Sequence, residues 1–288
     1  MGGRGSPSGV GEVTAAQDGA GSPARMLYIL ELFSATEPVW STAAIIEALE
    51  TSRSTGYRYI KTLHDAGLLT AVRNGYYSLG PRIIEMDLQM RQTDPLLLAS
   101  HGVLEDLVDT IGHSALLCTA YGDSVLCVGE YRAPLSPPNR FSRGQRRPLY
   151  QGAVSKVILA HLPHHRLKAI YPRQRREMET AGLGNTWSAF RAALGKIKKD
   201  GYIVTMGEFT PGVYGVAAPV LTDQKTSLGS VGVAWEEHAR RHVEVEQAVL
   251  AVKRAATTIS ERMMEQAAPF MSPEARDGQG PSSAIRSL

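Results

Sequence analysis

The run from Thr51 to Gly67 carries hydroxyls, a tyrosine and cations at spacings that a single helix would gather on its outer side. Ile60 and Leu63 share one face with Gly56 and Tyr59, which turns Ser54, Thr55, Tyr57, Arg58 and Lys61 away from it. Short polar residues at a helix start can receive phosphate through backbone N–H groups, and an arginine one turn later can reach a base edge. Such a face fits the major groove of DNA. In that role Ser54, Thr55, Tyr57 and Arg58 would meet base edges and phosphates, while Arg53 and Lys61 would mainly neutralise backbone charge. A solvated surface helix is the plainer reading of the same residues, and for Tyr57 it is stacking on a neighbouring helix.

Other reactive side chains make a weaker case. Cys118 and Cys127 sit in apolar alternating segments without Cys-x-x-Cys or histidine spacing, so buried reduced thiols are expected and a metal site is not. His161, His164 and His165 cluster around Pro163, where a helix start explains them better than catalysis, since no third orienting group stands at readable spacing. No catalytic residue, metal or cofactor is therefore expected. The segment from Tyr131 to Arg176 holds Arg132, Arg140, Arg143, Arg146, Arg147, Lys156, Arg166, Lys168, Arg173, Arg175 and Arg176 and no acid. It could lie near DNA, attract an anionic ligand or form a solvated surface.

The elements that must position these groups follow from periodicity and punctuation. Ser22-Pro23 reads as a helix cap and first turn ahead of Met26, Leu27, Ile29, Leu30 and Phe33. Ser41 caps a second helix bearing Ala44, Ile45, Ala48 and Leu49, and the groove-facing helix follows, closed at Ala66-Gly67. Leu68–Arg73 and Tyr76–Leu79 flank Asn74-Gly75, a strong hairpin signal, and Arg73 and Asn74 at its tip could touch the adjacent minor groove or phosphate. Three helices and a hairpin make a winged helix-turn-helix. An amphipathic segment over 82–94, with Ile83, Ile84, Met86, Leu88 and Met90, reads as a linker helix and a dimer contact.

Beyond it the pattern predicts a helix over 96–110, strands over 113–120 and 124–131, and a Pro- and Arg-rich loop ending at Pro148-Leu149. Helices are expected over 152–161, 164–171 and 186–199, strands over 202–206, 213–221 and 228–235, and a last helix over 243–266. That alternation describes an α/β domain whose antiparallel sheet is flanked by helices, so the fold class is a two-domain α+β chain. With 288 residues the chain can bury two cores, and its net charge of +3 excludes an argument for nucleic-acid binding from charge alone. The boundaries expected are a disordered tail over 1–21, the winged helix over 22–81, the linker over 82–94, a second domain over 95–266 and a disordered tail over 267–288. No apolar run reaches membrane length and no signal peptide opens the chain, which leads us to expect a cytoplasmic protein.

Four motifs in order resemble the IclR family of bacterial transcriptional regulators across 22–266. Ser54-Thr55-x-x-Arg58-x-Ile60-x-x-Leu63-x-x-x-Gly67 with Gly75-Tyr76-x-Ser-Leu79-Gly80 is similar to the family's recognition helix and wing. Pro148-Leu149-x-x-Gly152-Ala-x-Ser155-Lys156-x-Ile-Leu159-Ala160-x-Leu162-Pro163 is similar to the entry of its effector domain, and Ile197-x-x-x-Gly201-Tyr202 and Val216-Ala217-Ala218-Pro219-Val220 to two further landmarks. The resemblance implies a homodimer on double-stranded operator DNA, with pairing of dimers into tetramers open, and a GAF-like C-terminal domain that senses a metabolite. It implies no enzyme and no membrane. The rivals are a winged-helix protein-interaction module, whose recognition helix would be apolar outside, and an enzyme with an accessory winged helix.

Two places depart from the family pattern. The turn before the recognition helix commonly carries Gly-Leu and here reads Glu50-Thr51, a weaker turn signal that could shift the helix by a residue. In members that bind small 2-oxo acids, a cysteine, a carboxylate and two serines hold the ligand, and the aligned positions here are Gly215, Thr205, Gly232 and Ala234. Fewer donors and more room are expected, which disfavours a glyoxylate-like effector and favours an aromatic acid or other catabolic intermediate near Ala153, Val154, Ser155, Thr205, Gly215, Gly232 and Ala234. Strand packing is the plainer account of the two glycines, and a helix start with a solvated lysine that of Ser155-Lys156.

Overall fold

The computed structural model describes residues 21–134, 141–237 and 244–271. Arg140 and the segments 1–20 and 272–288, for which disorder is expected, lie outside them. The chain divides into two compact units, one ending at Gln92 and one beginning at Thr93.

In the first unit, helix α1 (Ser22–Tyr28) runs into a single 3-10 turn over Ile29–Leu32. Gly21, not Ser22, is its cap, because the Ser22 hydroxyl is engaged 2.6 Å from the Tyr59 hydroxyl. The tighter turn seats Ile29 in the core and leaves Leu27 exposed, so the expected apolar stripe is narrower than the sequence suggests. A short strand β1 (Trp40–Ser41) precedes α2 (Thr42–Ala48), where the Ser41 side chain accepts from Ala44 N at 3.1 Å. Helix α3 (Arg53–Asp65) follows, and the wing is β2 (Leu69–Arg73) and β3 (Tyr76–Leu79). The strand order β1-β3-β2 adds a third strand to the expected hairpin. Its signal was too short to read, two residues held by pairing of Trp40 with Tyr77 and Ser41 with Tyr76. Ile29, Ile45, Leu49, Tyr59, Ile60, Leu63 and Leu69 form the core. Helix α4 (Arg82–Thr93) closes the unit and buries none of its residues.

The second unit is a six-stranded antiparallel sheet in the order β6-β5-β4-β9-β8-β7. Its strands are β4 (Ala115–Tyr121), β5 (Ser124–Tyr131), β6 (Arg146–Pro148), β7 (Ile203–Met206), β8 (Val213–Leu221) and β9 (Ser227–Glu236). Side chains alternate between its faces. Leu117, Val216, Ala218, Val231 and Val233 meet α6 (Val103–Ile111) and α11 (Val245–Met271), whereas Leu116, Cys118, Cys127 and Ala217 meet α7 (Ala153–His161) and α10 (Trp187–Asp200). Between α7 and α10 lie α8 (His164–Ile170) and α9 (Arg175–Thr180).

Four expectations change here. The helix expected over 96–110 is two, α5 (Pro95–Ser100) and α6, because Gly102 between them takes φ +77. The end of the Pro- and Arg-rich loop is the edge strand β6, and α9 was not foreseen. The last helix continues past Gln266 to Met271, into a segment for which disorder was expected. Among the described residues no helix is long and apolar enough to cross a membrane.

Candidate DNA interface and ligand site

Helix α3 buries Gly56, Tyr59, Ile60 and Leu63 and nothing else. Arg53, Ser54, Tyr57, Arg58 and Lys61 are exposed on its other sides, Tyr57 at 59 % despite its aromatic ring. Thr55 is half-buried, its hydroxyl accepting from Ser52 at 3.0 Å. Ser52 is a residue the sequence reading passed over. It caps α3 by accepting from Thr55 N and lies 3.2 Å from the Ser54 hydroxyl, so three hydroxyls cluster at the positive end of the helix. A serine immediately before the helix start was the available signal.

The turn into α3 does not shift it. Glu50 takes the left-handed φ of +49 that glycine would supply more cheaply, and Ser52 then caps in place. Gly56 lets α2 and α3 approach closely, since a Cβ there would run into the Ile46 side chain. At the wing, Gly75 takes φ +74 and its carbonyl accepts from Thr42 N at 2.8 Å and Thr42 Oγ1 at 3.1 Å, which ties the tip to the start of α2. Arg73 and Asn74 are exposed at that tip, the Arg73 guanidinium 4.0 Å over the Tyr76 ring. Exposed Lys61 makes only a 3.9 Å contact with Asp65, a pair worth a few tenths of a kcal/mol, or ~0.3–0.5.

In the second unit the expected ligand positions do converge. Thr205 pairs with Gly215 and Gly215 with Ala234 across the sheet, and Gly232 lies beside them opposite Ala217, all under the first turn of α7. The room expected beside the two glycines is absent. A Cβ on Gly215 would meet Thr205 Oγ1 at 2.9 Å and Ala153 at 3.4 Å, and one on Gly232 would meet Val154 Cγ1 at 2.6 Å. The helix packs directly onto the sheet at these glycines, and Ser230 locks it there by donating to Val154 O at 3.0 Å. Ser155 is fully buried and its hydroxyl has no hydrogen-bond partner.

Lys156 is not solvated. It is 4 % exposed and donates to Glu208 Oε1 at 2.6 Å and to Ala181 O at 2.7 Å. The other Glu208 oxygen accepts from Gly152 N at 3.1 Å, so a carboxylate from the β7–β8 loop caps α7. Phe209, the next residue, stacks its ring 4.1 Å from the Arg147 guanidinium, whose other contact is the Phe141 ring at 3.6 Å. Arg147 Nε is buried and has no partner among the described residues, and burial pushes the guanidinium down to about 10.

The rest of the acid-free stretch disperses. Arg132 lies 3.9 Å from Glu130, Arg143 donates to Val128 O, Arg146 stacks over Tyr121, and Arg166 and Arg173 converge on Asp123. Cys118 and Cys127 are both buried and free, and they stand opposite one another across β4 and β5. Burial, reinforced by Cys127, raises the Cys118 thiol well above its ordinary range, so Cys118 is protonated and unreactive. Buried His161 bonds Val157 O at 2.9 Å and His164 packs on Trp187. Among the described residues no His, Cys, Asp and Glu side chains group as metal ligands.

Residues 90–261 match the family model described as bacterial transcriptional regulator IclR C-terminal, and residues 25–77 match an HTH domain. An HTH-type transcriptional regulator of Mycobacterium tuberculosis is 30 % identical over 215 residues, 73 % of this chain and 80 % of its own. The probable transcriptional regulator SauR of Cupriavidus necator is 27 % identical over 213 residues, covering 73 % and 83 %. Among solved structures, an IclR transcriptional regulator from Alicyclobacillus acidocaldarius superposes with a TM-score of 0.72 at 23 % identity over 84 % of this chain and 98 % of that one. An IclR homolog from Microbacterium hydrocarbonoxydans, complexed with 4-hydroxybenzoate, gives 0.66 at 19 % identity over 84 % and 99 %.

Proposed function

As the chain belongs to the IclR family of bacterial transcriptional regulators, we propose that it grips operator DNA as a homodimer and that its C-terminal unit controls the grip by taking up a small organic acid. The observation that carries the DNA half is the division of α3 into a buried floor of Gly56, Tyr59, Ile60 and Leu63 and an exposed side of hydroxyls and cations. Arg58 reads a base edge or clamps a phosphate. Ser52, Ser54, Thr55 and Tyr57 orient the helix on the backbone, Arg53 and Lys61 supply charge, and Arg73 and Asn74 reach the flanking groove. An interaction module would show an apolar outer face on α3, and this one is polar.

Dimerisation draws on α4, where Ile84 is 74 % exposed and Met86, Leu88 and Met90 are each about half exposed on a helix that buries nothing of its own. A second copy of α4 would cover them. Ligand uptake then changes the separation of two recognition helices, a coupling of sites with no chemical step. An aromatic acid or other catabolic intermediate is favoured over a glyoxylate-like 2-oxo acid because Gly215 and Gly232 stand where the family resemblance places side-chain donors for the latter, and a fold relative is complexed with 4-hydroxybenzoate.

The test is a mobility shift on the DNA upstream of the protein's own gene, with Arg58→Ala alongside and a salt series. Loss of one base or phosphate contact weakens binding by ~1–3 kcal/mol, and a reduced salt slope identifies a phosphate contact. Unchanged affinity in folded Arg58→Ala would overturn the assignment of α3 as the reading helix.

A further inference from the structure

Arg147 occupies an unusual position for a cation. It lies on the edge strand β6 opposite Val125, so its side chain is carried over the sheet face that packs against α7. The guanidinium carbon lies 3.6 Å from the centre of the Phe141 ring and 4.1 Å from that of Phe209, so aromatic surface fills much of its surroundings and strong bonding is left to its in-plane N–H groups. Of these, Nε is buried and has no partner among the described residues. The nearest acid on the same loop, Glu208, is committed to Lys156 and Gly152 N. Arg147 Nη1 lies 2.9 Å from where a Cβ on Gly152 would stand, and Gly152 is the cap of α7. Close by in sequence, in the first turn of α7, the buried Ser155 hydroxyl is a second polar group without a partner. A buried donor left without a partner costs about 1–3 kcal/mol, so its retention needs a compensating partner.

We propose that the Arg147 guanidinium receives the carboxylate of the ligand bound by the C-terminal unit, holding an organic acid by its acid end at the β6 edge instead of through side chains of β8 and β9. This rests on the ligand-sensing reading above. The chemistry fits the geometry: a guanidinium held beside two aromatic rings offers a planar pair of N–H donors, which matches a carboxylate two-to-two and favours it over a neutral amide. Burial leaves Arg147 protonated at neutral pH despite its lowered pKa of about 10. The Phe141 and Phe209 rings supply an apolar wall beside the acid group.

Calorimetry on the full chain, with acetate, pyruvate and benzoate as acids and benzamide as the uncharged match of benzoate, tests it. We expect at least one of the acids to bind, at least ~10-fold tighter than benzamide in the benzoate case, with ~10-fold or greater loss in Arg147→Gln. Arg147→Lys keeps the charge without the fork and should fall between; it also decides the matter if Arg147→Gln does not fold. Binding of none of the three acids, equal binding of benzamide, or wild-type affinity in either variant would each overturn the assignment. Release of operator DNA is followed in parallel. Acid binding that depends on Arg147 but leaves DNA affinity unchanged supports the receptor and defeats the sensing reading, whereas acid-driven release undiminished in Arg147→Gln does the reverse.

Discussion

On α3 the candidate groups Arg53, Ser54, Tyr57, Arg58 and Lys61 stand in solvent above a floor of Gly56, Tyr59, Ile60 and Leu63, whereas in the second unit Ser155 and Lys156 are buried and Arg147 is half-buried between aromatic rings. The first arrangement costs almost nothing to fold, since exposed charges keep their hydration and their surface pairs contribute little. The second is expensive. Its polar groups must find partners in the protein or be left for a ligand. The protein has done both, giving Lys156 a carboxylate and leaving Arg147 Nε and Ser155 Oγ without one. A surface that reads a polymer can be assembled from position alone, while a site that encloses a small molecule is built by withholding internal partners.

The contrast breaks most visibly at the satisfied pair. Glu208→Gln removes the charge facing Lys156, which is 4 % exposed, and weakens the cap on Gly152 N. Breaking a buried pair from one side costs ~3–5 kcal/mol, and the partial exposure of Glu208 places this one at the lower end, about 3 kcal/mol, or a fall in Tm of ~6–12 °C for a unit of this size. Adding Lys156→Met should restore more than half of the loss. A thermal scan showing a change under ~2 °C for the single variant would mean that water already screens the pair.

Arg147→Met sharpens the same comparison in the opposite direction. Methionine keeps an unbranched stem beside Phe141 and Phe209 and can make sulfur contacts with their rings, while the unpartnered Nε donor disappears. A cation kept for a ligand is a cost to the empty protein, so this variant should be more stable than wild type by about 1 kcal/mol. The equivalent change on α3, Arg58→Ala, should move stability by less than ~0.5 kcal/mol either way. Denaturant midpoints at constant m-value compare the two directly. A marked loss of stability in Arg147→Met would make Arg147 a structural residue.

What could be read in the sequence divides along the same line. The buried face of α3, the Ser41 cap and the Asn74-Gly75 wing were legible because each depends on neighbours within four residues. Convergence of Thr205, Gly215, Gly232 and Ala153 came with the family pattern, but the absence of room among them did not, since Val154 reaches Gly232 only once α7 is laid on the sheet. Arg147 stood among ten other cations, and nothing local separated it from Arg146, one residue away on the other side of the strand and stacked over Tyr121. Cys118 and Cys127 face each other because the β4–β5 register shifts by one between Leu117 and Cys118, an offset that no periodicity announces. Glu208 acts across 52 residues on Lys156, a contact fixed by topology.

One residue of the first unit runs against the comparison, for the DNA-binding side carries its cost in the backbone. Glu50 is exposed, so its side chain folds freely, yet its φ of +49 is a conformation that L-residues avoid. It follows Leu49, the residue that caps the end of α2, its N–H bonding Glu47 O at 3.0 Å, at the position where helices usually end on glycine. Glu50→Gly should relieve that strain, offset in part by the greater freedom of glycine in the unfolded chain, for a net gain of roughly 0.5–1 kcal/mol. Because Ser52 already sets the start of α3, the gain should appear as slower amide exchange across α2 and α3 with no change in the DNA sequence preferred. A shift in preferred sequence would show that the turn also sets the angle at which α3 enters the groove, and that part of the reading face is held under strain.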